Sequence, residues 1–210
     1  MSIPRTPPPA LALFLAVTAV GCGSSGTAPA PAPRLVFTGE VAGTDARLAV
    51  VATAGHARFY FCGGATSYPT MTTWFATTRH PDGAIDLPDG STPGFVLSGD
   101  VGQDSVSGSI TRTGDLPKTF TASRIPSRSI AGLYEGTSGC GHVGVIVADE
   151  SPPAPPVVQG ACIGSSSSAP SIEQVNPLGA LELTASGTLR VVVAGSNEEA
   201  EIAAAAAPAL

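Results

Sequence analysis

The stretch RLVFTGEVAGTDARLAVVATAGHARFYFCG, residues 34–63, decides the class of fold. Its apolar residues come in three short runs, which are separated by the turn-forming segments GTD and TAGH. Short runs that alternate with a period of two predict antiparallel strands joined as hairpins. On the third run, Phe59 and Phe61 should face one side of a sheet, and Tyr60 and Cys62 the other.

The same pattern continues toward the end of the chain. Later runs such as FVLSGDV (95–101), HVGVIVAD (142–149) and TLRVVVAG (188–195) keep the length of strands, and no amphipathic helix of normal length is found. Regular turns between β-branched and aromatic runs predict an all-β domain of about a dozen short strands. Its architecture is expected to be an antiparallel meander or hairpin barrel, or a sandwich.

The domain is predicted to cover residues 34–197, with a candidate sub-boundary near residues 126–130. The alanine-rich tail, residues 198–210, is expected to be a short helix or disordered. Asn197 can cap a helix at its start, and the three glutamates that follow would favour the first turn.

The beginning of the chain has the pattern of an export signal. The apolar run Ala10–Val20 has about 11 residues. A membrane-spanning helix needs roughly 20, whereas the apolar part of a cleaved signal needs about 7 to 15. Residues 1–10 carry Arg5 and a run of prolines, which keeps this start non-helical.

The end of that run, AVGC at 19–22, resembles the lipobox of bacterial lipoproteins. The resemblance implies that residues 1–21 are a lipoprotein signal peptide and that the sulfur of Cys22 carries acyl chains such as palmitate. Residues 22–33, rich in Gly and Ser and then in Ala and Pro, would form a flexible tether. Gly23 stands where an inner-membrane retention signal would carry Asp, so the resemblance implies the outer membrane in a cell with two membranes. The alternative is an ordinary cleaved signal peptide without a lipid.

The order GTDARLAVV…ARFYFCGG…WFATT…LSGDV…VSGSIT…FTAS…AGLYEG resembles the β-rich modules of uncharacterised exported bacterial proteins. It covers Phe37 to about Glu135. The resemblance implies a fold and no particular activity, and the chain departs from it after Glu135.

The charge of the chain argues against nucleic acid as a partner. The formal net charge is −6, only 12% of residues are charged, and Lys118 is the only lysine. Binding to a phosphate backbone needs clustered Lys and Arg. The expected partners are therefore the membrane, through the lipid, and an unknown protein or envelope ligand.

Three cysteines remain beyond the lipobox. Cys140 and Cys162 are the closest pair in sequence, and a disulfide between them would contribute about 3 kcal/mol by restricting the unfolded chain. Cys62 lies in an apolar run and would then be a small buried hydrophobe. The spacing alone does not decide the pairing.

No catalytic motif is visible. A G-x-S-x-G elbow is absent, so the imidazoles of His56, His80 and His142 have no local serine partner. Cys140 and His142 share one face of a strand and could ligate a metal ion, but a disulfide with a neighbouring histidine is the simpler interpretation. No cofactor is expected.

Two groups of acidic residues are candidate sites. Asp82, Asp86 and Asp89 could offer oxygens to Ca²⁺, although Asp-Gly pairs are also common turn chemistry. The segments 35–41 and 95–101 repeat one pattern and place Glu40 and Asp100 at matching positions. If those strands paired, the two carboxyl groups would lie close together and one pKa would be raised. The favoured alternative is that both carboxylates are exposed to solvent on outer faces.

Aromatic residues concentrate on two neighbouring runs of the first half. Tyr60 or Trp74 could form an exposed platform for a ligand, while packing in the core is the favoured interpretation.

These observations predict a cell-envelope lipoprotein, exported and facing outside the cytoplasm, whose β-domain is a non-enzymatic binding module. A small β-barrel that holds a ligand, or an inhibitor of proteases or other hydrolases acting through a loop such as residues 151–171, is the alternative. An exported hydrolase is the least favoured.

Overall fold

The computed structural model describes residues 33–127, 129–149, 154–164, 171–177, 181 and 183–206, without the side chains of residues 86 and 88–91. The predicted signal peptide, Cys22 and nearly all of the tether therefore lie outside the described residues. So do residues 151–153 and 165–170 and the end of the tail, while the middle of the segment 151–171, which was expected to be a loop, contains the strand Val157–Ile163.

The described part of the domain is all-β and antiparallel, as predicted, with one single-turn helix. Its elements are β1 (Leu35–Val41), β2 (Arg47–Ala52), β3 (His56–Cys62), α1 (Tyr68–Met71), β4 (Thr73–Thr78), β5 (Ala84–Thr92), β6 (Phe95–Val101), β7 (Ser105–Arg112), β8 (Lys118–Arg124), β9 (Gly132–Ser138), β10 (Gly141–Ala148), β11 (Val157–Ile163), β12 (Ile172–Pro177), β13 (Thr188–Val193) and β14 (Glu198–Ala204).

The first sheet contains eight strands in the order β4-β3-β2-β1-β8-β7-β6-β5. It consists of two four-stranded meanders that join where β1 pairs with β8. The inward side chains of all eight strands form a single core, with Phe37, Phe59 and Phe120 at its centre. The edge strand β4 also approaches the opposite end of the sheet, because the ring centroids of Phe75 on β4 and Phe95 on β6 lie 6.1 Å apart. The sheet is therefore strongly curved around its own core.

The second sheet is a closed barrel in the order β10-β11-β12-β13-β14-β9. Its interior is filled by side chains that include Val143, Val145, Cys162 and Val191, all fully buried. A small barrel is expected to be filled in this way. Within the described residues the interior holds a packed core rather than a ligand cavity.

The alanine-rich tail is part of this barrel, so the expected helix was wrong. Residues 198–203 of β14 pair with β13, and Ala203 and Ala204 pair with β9. Ile202 is fully buried, and Asn197 lies in a turn with φ of 57° instead of capping a helix. Closing the barrel gives the backbone of β14 hydrogen-bond partners, and this overrides the helix propensity of its alanines.

The two repeated segments, β1 and β6, are not neighbours, because β8 and β7 lie between them. Glu40 and Asp100 therefore do not form a pair. Instead, Glu40 Oε1 lies 3.4 Å from Nη2 of Arg47 on the adjacent strand β2.

The two sheets pack against each other through a second apolar layer. The outer face of β2 and β3 contacts Leu133, Ile146 and Ala161 of the barrel. On β3, Phe59 and Phe61 belong to the first core while Tyr60 and Cys62 belong to this layer, so the predicted division of faces is confirmed. The connection between the sheets spans residues 125–131, which includes the candidate sub-boundary.

Candidate functional site

Two polar features lie where the first sheet meets the barrel. The first, here called the junction cluster, consists of Arg58, Trp74, Glu135 and His142 from strands β3, β4, β9 and β10. The second, the junction cleft, is a groove between β1, β8 and β9 that Arg34 and Arg124 help to line.

The junction cluster is held together by direct contacts across the two sheets. Arg58 Nη1 donates to Glu135 Oε1 at 2.5 Å, and His142 Nε2 lies 3.5 Å from Glu135 Oε2. The imidazole of His142 stacks on the indole of Trp74, with ring centroids 4.5 Å apart. The cluster lines an opening of about 490 Å³.

The charges in the cluster keep the carboxyl group of Glu135 ionised. The hydrogen bond from His142, and then the positive charge and hydrogen bond of Arg58, hold the pKa of Glu135 below its ordinary value of 4.5, although partial burial opposes this. A carboxylate stabilised in this way is a poor general acid at neutral pH.

The two residues of the candidate ligand platform differ in exposure, and Tyr60 is too buried to contact a ligand. Tyr60 is fully buried, and its hydroxyl donates to the carbonyl oxygen of Gly144 at 3.1 Å. Trp74 is half-buried, and its ring stacks on Tyr60 (centroids 4.2 Å apart) and on His142. Because rings already stack on Trp74, core packing, the favoured interpretation, describes Tyr60 and Trp74 better than a platform.

The cluster lacks the arrangement that nucleophilic catalysis needs. Among the described residues, no serine, threonine or cysteine side chain donates a hydrogen bond to a histidine ring nitrogen, and the imidazole of His142 pairs with Glu135 and stacks on Trp74. A nucleophile is activated by a base within hydrogen-bond distance. The cluster therefore acts as a cross-sheet connection that fixes the relative position of β3 and β9.

The junction cleft has the dimensions of a small-molecule site. It has a volume of about 590 Å³, and small-molecule sites range from about 300 to 1,000 Å³. Its floor includes the buried residues Leu133 and Tyr134, and its walls include Val36 and Ile125. Tyr134 is oriented by donating its hydroxyl to the carbonyl oxygen of Ile130 at 2.8 Å.

Both arginines of the cleft lack a carboxylate partner within the described part of the chain. Arg34 and Arg124 form no ion pair there, and Asp104 is the one acidic residue that lines the same groove. Partial burial lowers the pKa of Arg34, while the nearby Tyr134 and Glu135 oppose this effect. Two arginines without ion pairs in a groove of mixed polar and apolar lining favour a negatively charged ligand.

Sequence reasoning missed this cleft. Arg34 and Arg124 are 90 positions apart in the chain and belong to no motif. They come together because β1 pairs with β8, with Phe37 opposite Arg124. The one signal in the sequence is the scarcity of basic residues, because each arginine then carries a large share of the protein's positive charge.

The cysteines of the domain are placed as the favoured interpretation expected. Cys140 and Cys162 form a disulfide with their Cα atoms 6.3 Å apart, and it links the β9–β10 hairpin to β11. Cys62 is free and buried, and burial raises the pKa of its thiol to about 11. His142 points to Trp74 and Glu135 and is not part of a metal site with the disulfide.

Two of the three aspartates of the candidate calcium site lie outside the described side chains. The side chains of Asp86 and Asp89 are not among those described, and the carboxylate of Asp82 accepts a hydrogen bond from the backbone N–H of Ala84. That contact is ordinary turn chemistry. In the described ranges, no three His, Cys, Asp or Glu side chains gather where they could bind one metal ion.

The described residues contain no helix with the length and apolarity needed to cross a membrane. No family model matches the sequence, and neither a curated protein nor a solved structure matches it.

Proposed function

We propose that the chain is an exported, lipid-anchored protein of the cell envelope whose β-domain binds a ligand in the junction cleft without catalysing a reaction. The observation that carries this proposal is the cleft itself, an open groove of about 590 Å³ between two sheets. Ligand sites favour concave places where two structural units meet.

The cleft suits binding because paired strands support one part of its lining, while the connection of residues 125–131 supplies another part. β1 and β8 are paired in a continuous ladder, and β9 is paired in the closed barrel. The disulfide between Cys140 and Cys162 further restrains the barrel. Side chains that are fixed before the ligand arrives lose less conformational entropy when it binds.

The anchor is supported by the sequence at Cys22 and by the tether that follows it. Two acyl chains make membrane attachment stable, since each buried CH₂ contributes about 0.8 kcal/mol. A tether rich in Gly, Ser, Ala and Pro would let the domain stand clear of the lipid head groups. The proposed location is the outer face of the envelope, in the outer membrane of a cell with two membranes.

The anchor is tested by detergent phase partitioning of the protein expressed in a bacterium that processes lipoproteins. The unaltered protein should enter the detergent phase, and Cys22→Ser should remain in the aqueous phase. Cys62→Ala is the matched control, because it removes a cysteine of the folded domain and should partition like the unaltered protein. Equal partitioning of all three proteins would overturn the anchor.

Binding in the cleft is tested by thermal unfolding in the presence of the dialysable small-molecule fraction of the envelope. A ligand that binds only the folded protein should raise the unfolding temperature. Ser127→Trp places a large ring in the cleft and should abolish this rise. Thr113→Trp adds the same ring on an exposed turn and should preserve it. A rise that persists in Ser127→Trp would remove the cleft from the proposal.

A further inference from the structure

We infer that the ligand of the junction cleft carries a small oxyanion, a phosphate or carboxylate group on a compact organic body, and that Arg34 and Arg124 recognise that group. This inference rests on the proposed binding role of the cleft and adds the chemical class of its ligand. It is carried by the two arginines that line one groove and form no ion pair within the described residues.

The position of these arginines is unusual for this chain. The protein has only 10 basic residues against 16 acidic ones and a net charge of −6. Most anions are repelled by such a surface, so a site for an anion needs local positive charge. Among the described residues that line the cleft, Arg34 and Arg124 are cationic and Asp104 is anionic, so the described lining carries a net positive charge in a negative protein.

Arginine is suited to this role by its geometry. Its planar guanidinium offers a fork of N–H donors that matches the oxygens of carboxylate and phosphate groups, and it is more weakly hydrated than an ammonium group. Neighbouring protein atoms partly desolvate Arg34, but both arginines are exposed residues, so their guanidinium groups are accessible to a ligand from solvent.

The rest of the cleft indicates the body of the ligand. Val36 and Ile125, both half-buried, provide apolar contact beside the charged groups. Tyr134 and Ser129 have their hydroxyls engaged by the protein, Tyr134 with the carbonyl oxygen of Ile130 and Ser129 with Asp149 and the N–H of Ala131. The polar recognition of the ligand is therefore concentrated on its anionic end.

The inference is tested by calorimetric titration of the detergent-solubilised mature protein. The probes are glycerol 3-phosphate, a soluble phosphomonoester; glycerophosphoglycerol, which carries the phosphodiester of a lipid headgroup; and butyrate, a carboxylate with an apolar body. Choline, a cation, is the negative control. At least one of the three anions should bind. Tightest binding of glycerophosphoglycerol would indicate a lipid headgroup as the source, and tightest binding of glycerol 3-phosphate or butyrate would indicate a free metabolite.

Substitutions then assign the binding to the two arginines. Arg34→Gln and Arg124→Gln should each weaken the tightest probe about tenfold or more, since a hydrogen bond to a charged group contributes about 1.5–3 kcal/mol. Arg34→Lys keeps the charge but loses the fork and should give an intermediate loss. Asp104→Asn should strengthen binding, because it removes the negative charge from the cleft.

Matched controls separate the cleft from the overall charge of the protein. Arg112→Gln and Asp115→Asn make the same charge changes at exposed positions of β7 and the turn after it, and neither should change the affinity by more than about twofold. Circular dichroism of each variant confirms folding, and the opposite effects of Arg34→Gln and Asp104→Asn cannot both arise from unfolding.

Three results would overturn the inference: no anion binds, choline binds as well as the anions, or Arg112→Gln weakens binding as much as Arg34→Gln. None of them bears on the anchor, which detergent partitioning tests separately. A cleft that binds envelope molecules in the thermal assay but none of the three anions would keep the proposed function and remove only the oxyanion.

Discussion

At the scale of single residues, Asp45 shows how one carboxylate can order a loop. It lies between β1 and β2, and its two oxygens accept hydrogen bonds from the backbone N–H and hydroxyl groups of Thr66 and Ser67. These bonds, led by the Ser67 hydroxyl and the Thr66 N–H, hold the pKa of Asp45 well below its ordinary value of 3.8. The loop between β3 and α1 is thereby attached to the first hairpin.

Asp45→Ala should therefore destabilise the protein in a pH-dependent way. We expect a loss of about 1 kcal/mol at neutral pH, kept small because the site is exposed to water. A depressed pKa stabilises the fold above the unfolded value of 3.8 and loses this effect as the pH falls below it. Urea unfolding between pH 7 and pH 3 should show the difference from wild type shrinking, whereas Asp100→Ala, at an exposed position of β6, should change little at any pH. A constant difference across that range would contradict this assignment.

Glu135 is the second residue on which a local arrangement depends, since it contacts Arg58 and His142 at once. Glu135→Gln removes the charge that both partners face and leaves the partly buried guanidinium of Arg58 without its carboxylate. We expect a loss of about 1–3 kcal/mol at neutral pH. The pKa of Glu135 is depressed, so the loss should shrink as the pH falls below 4.5.

The measurement is chemical unfolding followed by the fluorescence of Trp74, the only tryptophan and a neighbour of His142. Glu199→Gln is the control, because the Arg190–Glu199 pair on the barrel surface is more exposed and should contribute little. If both variants lose equal stability, the junction cluster has no special role.

At the scale of elements, alternation along the chain was enough to predict most strands. In HARFYFC, alternate side chains pack into two different apolar cores, one on each face of the strand. This alternation can be read from the sequence alone. β14 was missed because EEAEIAA has one strongly apolar residue, and its alanines favour a helix. The partners that make it a strand, β13 and β9, are supplied by the rest of the barrel.

The disulfide gives a prediction at this scale, since it ties one hairpin to another strand. Cys140→Ser combined with Cys162→Ala should lower the free energy of unfolding by about 2–4 kcal/mol, because the crosslink closes a loop across a separation of 22 residues. Alanine is chosen at position 162 because that site is fully buried.

Denaturant unfolding with and without a thiol reductant provides the measurement and the control. The reductant should destabilise the wild-type protein and leave the double variant unchanged, because Cys62 is already free. Wild-type stability that does not respond to complete reduction would contradict the prediction.

At the scale of the whole molecule, the close approach of the two sheets depends on Gly144. A Cβ atom at this position of β10 would lie 2.8 Å from Cζ of Tyr60, and it would also collide with the indole ring of Trp74. Since both rings are stacked and confined, neither can move aside easily.

Gly144→Ala should therefore loosen the junction of the sheets. We expect a destabilisation of about 1–3 kcal/mol and a red shift of the Trp74 emission, because the indole becomes more exposed to water. Gly55→Ala, where an added Cβ meets no atom within 4 Å, should leave both quantities nearly unchanged. Unaltered emission in Gly144→Ala would show that the junction tolerates the added methyl group.

The sequence by itself determined the class of the fold, the division of faces on β3 and the favoured state of the cysteines. These properties follow from alternation, turn chemistry and composition, which act over a few neighbouring residues. Only the tertiary structure decided that the second sheet closes with β14, that Tyr60 and Trp74 are packed at the junction, and that Arg34 and Arg124 share one cleft. Such outcomes depend on which strands pair, and pairing is set by the burial of whole faces rather than by any local pattern.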